Sequence, residues 1–264
     1  MKRLIYQVYL GSRNKLYDHC TNSVRNYCKE HNIDHVVQRT PILRIKPDIF
    51  ATNRHPSAWE KYGGFLPIYE KENAFARWSE YDQIAIIDSD IWIRPKSPNI
   101  FNELPAEYHF GGVPEREMPI TDSYRARIKN YSQEQYGNIK ADWKWNESGA
   151  EFINMGLMLM NESITEFIRG DTPHEFISRP EFKGFVDGLG PWKWSTDQTL
   201  LNSWIKQEQM NVKNLEWKWN CLYNPNFGGV KQEYVSDSYF VHFFQSSKLG
   251  SYAQNMDSLI ETVS

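Results

Sequence analysis

Apolar and polar positions along this chain follow two periods, and the switches between them outline an α/β protein. Leu4 to Leu10 is an apolar-rich run of strand length. Leu16, Cys20, Val24, Tyr27, Cys28 and His31 then recur at three- and four-residue spacing, which marks one face of a helix. Residues 34–38 read as a second strand, so the chain opens β-α-β, as a doubly wound sheet does. No GxGxxG accompanies it, so the dinucleotide fingerprint is missing. Residues 41–64, with Pro41, Pro47, Pro56, Gly63 and Gly64, predict an irregular connection. A helix should follow with Ala74, Phe75, Trp78 and Tyr81 inward, leading into an apolar run from Gln83 to Ile93. Tyr108 to Val113 and Glu151 to Met160 read as further strands. Thr196 to Gln207 reads as a helix with Leu200, Leu201, Trp204 and Ile205 inward. Ser238 to Phe244 reads as a last strand, and Tyr252 to Val263 as a terminal helix.

Two carboxylates, Asp88 and Asp90, interrupt the apolar run that begins at Gln83. Aspartate is a poor strand residue, so packing does not account for the pair. The carboxyl ends of strands are where open α/β sheets bind ligands. Paired hard oxygens at such a place suit Mg²⁺ or Mn²⁺, whose coordination shell is commonly completed by substrate phosphates.

Bulk composition narrows the field. A net charge of −3 offers no footprint for nucleic acid or an anionic surface. Cys20, Cys28 and Cys221 are odd in number and lack CxxC spacing, which argues against a disulfide framework or a zinc site and for a reducing, cytoplasmic setting. The N-terminal apolar run is broken by Gln7 and lacks the features of a signal peptide, and no window has the length of a membrane span. Aromatic residues make up 15% of the chain, which suits either an aromatic core or a protein that handles sugars.

Four motifs in this order resemble a glycosyltransferase of the GT-A fold, most like glycosyltransferase family 8, the glycogenin and lipopolysaccharide galactosyltransferase group. They are Asp88-Ser89-Asp90 after Glu80-Tyr81-Asp82-Gln83; Asn154-Met155-Gly156 within the run Ile153 to Asn161; Asp197-Gln198-Thr199-Leu200-Leu201-Asn202; and Val241-His242-Phe243 with Lys248 six residues on. Each has a plainer reading alone. Asp-x-Asp can be an acidic turn, Asn154 and Gly156 a bulge, Ser195 and Gln198 a capping box, and His242 a core histidine. Their joint order is what carries the resemblance. Lys248 is followed by Leu249 and Gly250 rather than Pro-Trp, and the spacing from Asp-x-Asp to Asn-x-Gly is long, so the resemblance extends to the fold further than to the donor.

The resemblance implies a single GT-A domain over residues 1–264: a Rossmann-like mixed sheet flanked by helices. Its nucleotide-binding half would cover about 1–113 and its acceptor-side half about 114–264, with residues 114–149 as an irregular, mobile insertion that is helical near Ser123 to Tyr131. It implies transfer of a hexose from a nucleotide-diphosphate sugar, UDP-linked, to a carbohydrate or glycoconjugate hydroxyl, with retention. Asp88, Asp90 and His242 would hold Mn²⁺ (or Mg²⁺). Arg77, Asp88, Ser89, Asn154, Gly156 and Lys248 would bind the donor, and Asp197 and Gln198 would act at the anomeric centre. The triplet Trp-Lys-Trp, at 143, 192 and 217, offers Trp143 and Trp192 as acceptor platforms. Nucleic acid and a membrane span are not expected. A nucleotidyltransferase, a glycoside hydrolase with two flanking carboxylates and a catalytically silent sugar-binding module remain open from the sequence.

Overall fold

A computed structural model describes residues 1–264, the side chain of Ala58 excepted. Its main sheet is built from β1 (Arg3–Val8), β2 (Asp34–Gln38), β3 (Gln83–Ile87), β5 (Phe110–Pro114), β6 (Ile153–Asn161) and β7 (Val212–Asn214), in the order β2-β1-β3-β6-β5-β7. The first three strands run parallel, and β6 enters antiparallel between β3 and β5. Every residue of β3 and β6 is buried, which accounts for unbroken apolar runs where a half-exposed strand would alternate.

Helix α1 (Lys15–His31) covers one face. Asn14 caps it, accepting from Leu16 and Tyr17 N–H, and Asn32 ends it at φ 53°. Its inward residues are those of the predicted stripe, with His31 at the margin donating from Nε2 to Ser97 O at 2.9 Å.

Three expectations are corrected. The helix expected at 74–81 is a 3₁₀ segment, Pro67–Arg77, that begins earlier. Its first half reads as solvated charge but is buried: Glu70 takes N–H groups from Ile42, Leu43 and Arg44 and so pins the start of the irregular connection. The stretch 114–149 is helical where the sequence predicts it, around Ser123 to Tyr131, and irregular on either side. It contains a 15-residue helix, α2 (Asp122–Tyr136), capped by Thr121 and packed through Tyr136 on Phe152 at 5.1 Å between ring centroids. The last strand shrinks to three residues, and the terminal helix to Met256–Glu261 after a 3₁₀ turn.

That short last strand belongs to a second sheet. The chain leaves β3 at Ile87, turns through Asp88–Asp90 and re-enters extended structure as β4 (Ile91–Ile93). β4 pairs antiparallel with β9 (Phe240–His242), which pairs parallel with β8 (Cys221–Asn224); Gly228–Gly229 completes the four strands. The Asp-x-Asp turn is therefore the joint between the two sheets. Among the described residues no helix is long and apolar enough to cross a membrane. All three cysteines are buried and free.

The central position of β6 sets a stability test. Leu157 is fully buried opposite Ile87. Leu157→Ala should cost about 2–5 kcal/mol, the range for a leucine truncated in a packed core. Urea unfolding would show it as a lower midpoint at constant slope.

Candidate active site

Asp88 and Asp90 leave the end of β3 on a turn held at three points. Asp88 N–H donates to Gly156 O at 2.8 Å, Ile91 N–H to Asp88 O at 3.2 Å, and Phe243 N–H to Asp90 O at 3.0 Å. Register then does the placing. His242 lies opposite Ile91, so its imidazole rises beside the turn, with Nε2 3.2 Å from Asp90 Oδ1 and 3.9 Å from Asp88 Oδ2. The ring rests on the backbone of Gly156: a Cβ there would overlap Cε1 and Nδ1 of His242. This close approach is the reason for glycine in Asn-x-Gly.

The tautomer of His242 follows from hydrogen-bond logic. Gly156 N–H can only donate, and it meets Asn154 Oδ1 at 3.0 Å. Asn154 therefore turns its Nδ2 to Glu115 Oε2 at 2.9 Å and accepts Asn220 Nδ2 at 2.9 Å. Asn220 is left with Oδ1 facing His242 Nδ1 at 3.0 Å. Nδ1 must carry a proton, and Nε2 is the nitrogen presented to the two carboxylates. Tyr124 closes the far end of this buried chain by donating to Glu115 Oε1 at 2.6 Å.

Asp88, Asp90 and His242 offer one donor atom each, all within 4.8 Å of one another. Ligands at 2.0–2.1 Å around one octahedral ion lie about 3 Å apart when adjacent and about 4 Å when opposite. The distances from His242 Nε2 to the two aspartates, 3.2 and 3.9 Å, fall in that range, so the three side chains could hold one divalent cation, and an imidazole held by a neighbouring amide is the usual way such a ligand is oriented. Without a cation, burial opposes charge on His242, but the neighbouring Asp90 and Asp88 outweigh it and raise its pKa.

A second cluster adjoins the first. Lys71, from the 3₁₀ segment, places Nζ 2.8 Å from Asp88 Oδ1, 2.6 Å from Asp197 Oδ2 and 3.1 Å from Met155 O. Burial disfavours its charge, yet the two carboxylates raise its pKa above the ordinary lysine value. Asp197 opens helix α3 (Asp197–Gln207) and is buried. The cap of α3 is Thr196, whose Oγ1 accepts Gln198 N–H, so the Ser195–Gln198 capping box does not form. Gln198 is free of that duty, and its Oε1 accepts Met155 N–H at 3.2 Å. Asn202, one turn on, holds both the N–H and C=O of Ile153 at 2.8 Å, which fixes β6 against α3.

The structure thus gathers Asp88, Asp90, Asn154, Gly156, Asp197, Gln198 and His242 at one place, with Ser89 half-buried in the turn between the aspartates. Lys248 is exposed in the turn after β9. Arg77 stands apart, paired with Glu80 at 2.7 Å on the surface, and Lys71 from the same segment is the cation in the cluster. Trp143 is corrected: it is 6% exposed, its Nε1 donates to Ile139 O and its ring packs on Tyr136, so no face is left for a sugar. Trp192 is half-buried, with Nε1 donating to Gln135 O and its ring against Phe185 at 4.9 Å. Lys71, Glu115 and Asn220 were not foreseen. Lys71 sits in a charged run that reads as surface, and the adjacency of Asn220 to the third Trp-Lys-Trp was the one signal it offered.

Lys71→Met should leave Asp197 buried and unpaired, lowering stability by about 3–5 kcal/mol. A Lys71→Met/Asp197→Asn double variant should recover part of the loss. Thermal unfolding of the three proteins checks both.

No family model matches the chain, and no curated protein does. Solved structures do. The galactosyltransferase LgtC, in complex with donor and acceptor sugar analogs, matches over 98% of this chain and 95% of its own, at 14% identity and a TM-score of 0.50. A glycosyltransferase involved in the glycosylation of the major capsid of PBCV-1 matches over the whole of both chains at 12% identity and a TM-score of 0.49. Mouse xyloside xylosyltransferase 1 matches over 92% and 97% at 14% identity and 0.48. At such identities the likeness is one of fold. The match to LgtC, with the six-stranded mixed sheet flanked by helices, gives this chain the GT-A fold.

Proposed function

We propose that this protein is a divalent-metal-dependent glycosyltransferase that moves a hexose from a nucleotide-diphosphate sugar, UDP-linked, to a carbohydrate or glycoconjugate hydroxyl with retention. The single observation that carries the reading is the trio Asp88, Asp90 and His242, with Nε2 presented to the carboxylates because Asn220 holds Nδ1–H. Two oxygens and one nitrogen favour Mn²⁺ over Mg²⁺. Bound there, the ion would offset the negative charge that builds on the diphosphate as it leaves.

The chain's own residues supply the rest. Lys248, exposed after β9, meets the diphosphate as a point charge. Asn154 and Gln198 line the inner wall of an adjoining cleft and hydrogen-bond hydroxyls of the transferred sugar. Lys71 anchors Asp88 and Asp197 in fixed orientations before substrate arrives, the preorganisation on which electrostatic stabilisation depends.

Retention through a covalent sugar–enzyme intermediate needs a free carboxylate at the anomeric carbon. Asp197 is engaged by Lys71 at 2.6 Å, and Gln198, a weak nucleophile, lies nearer the cleft. This favours attack by the acceptor hydroxyl on the face the diphosphate leaves, with a phosphate oxygen of the leaving group taking the proton.

Thermal melting with UDP, GDP or CMP and their sugar conjugates, with and without Mn²⁺, tests the reading. One nucleotide should stabilise the fold only with Mn²⁺, by about 2.7 kcal/mol at a hundredfold excess over Kd. Asp90→Ala should fold normally and lose that gain and all metal-dependent turnover. Full activity of Asp90→Ala in EDTA would sink the assignment.

A further inference from the structure

A cavity of about 390 Å³ opens beside the metal trio, bounded on the inside by Asn154 and Gln198 and on the outside by α2 and the 3₁₀ turn that bears Trp194. Trp194 shares a triplet with Trp192 but has the opposite fate: it is 57% exposed, with its ring on the cavity wall. Phe227 and Tyr131 supply further aromatic surface. An exposed indole on a cleft is costly to leave in water and suits the apolar face of a pyranose ring.

Charge on this wall is uneven. Glu115, the acid of the lining, has one carboxylate oxygen taken by Tyr124 and the other by Asn154. Arg127, on the outer turn of α2, is the remaining charged group of the lining. Its guanidinium lies 4.0 Å over the Phe227 ring, with one N–H reaching Phe227 O at 3.5 Å. The arginine ion pairs among the described residues are those of Arg77, Arg116, Arg169 and Arg179, so Arg127 has no carboxylate. A guanidinium held flat by an aromatic ring keeps its planar fork ordered, the geometry that reads a carboxylate through two parallel hydrogen bonds.

We infer that the acceptor is an acidic carbohydrate, a sugar bearing a carboxylate, seated with its ring on Trp194 and its carboxylate on Arg127. The inference rests on the glycosyltransferase reading for its placement of donor and acceptor, and it adds the acceptor's chemical class.

Ligand-observed NMR titration with methyl β-glucuronoside, methyl α-sialoside and methyl β-glucoside, in the presence of Mn²⁺ and UDP, tests it. At least one carboxylated probe should bind about tenfold more tightly than the neutral glucoside. Arg127→Gln should abolish that preference, and Trp194→Ala should weaken both kinds of sugar. Neither substitution should alter the Mn²⁺–UDP melting shift, since neither residue belongs to the metal trio. Equal binding of acidic and neutral probes, no sugar binding at all, or an unchanged preference in Arg127→Gln would overturn the inference while an intact Mn²⁺–UDP shift leaves the donor reading standing. Loss of that shift in the unmodified protein would instead overturn the donor reading.

Discussion

The ammonium of Lys71 joins four parts of the chain that are distant in sequence: its own 3₁₀ segment, the end of β3 at Asp88, the backbone of β6 at Met155, and the start of α3 at Asp197. Two hydrogen bonds, to Asp88 Oδ1 and Met155 O, and the ion pair with Asp197 offset the cost of burying a charge that would be prohibitive alone. The pairing also lets carboxylates from two elements share one small volume. Even so, Asp88, Asp90 and Asp197 outnumber Lys71, and charge balance there calls for a further cation. His242 supplies part of that when protonated, which is why the two aspartates raise its pKa.

The second constraint is directional. The chain from Gly156 N–H through Asn154 and Asn220 to His242 has one consistent assignment of donors and acceptors, because a backbone N–H stands at one branch and a carboxylate at the other. Buried networks of this kind are worth having when every member is satisfied. Here the outcome is an imidazole with a defined tautomer and a defined tilt over a glycine that leaves room for it. The small second sheet has the same purpose: its short strands join the core, and their pairing sets His242 opposite Ile91, beside the Asp-x-Asp turn.

Glu72 belongs to this neighbourhood too. It is fully buried, and burial together with the nearby Asp197 pushes its carboxyl up to about 8. Both effects favour the neutral form of a carboxyl set beside Asp197.

Much of this was legible from residues alone. Periodicity located β1, α1, β2, β3, β6 and α3 within a few residues, because those elements bury one continuous face or both. The Asp-x-Asp, Asn-x-Gly, Asp-Gln and His motifs could be recognised as a set, because a metal and a close backbone approach tolerate few other residue types. What escaped was everything that depends on which buried polar atoms meet. Lys71 and Glu115 belong to no motif, and Trp143 and Trp192 stood out as acceptor platforms where Trp194 is the exposed indole. A side chain's polarity is local, whereas its partners are set by strand register and by segments packed from 39 to 126 residues away. The sequence by itself determined the elements and the residue types of the site. Tertiary structure alone decided which charge is paired, which histidine nitrogen faces the carboxylates and which tryptophan meets solvent, since each of these is a contact between segments that local pattern cannot encode.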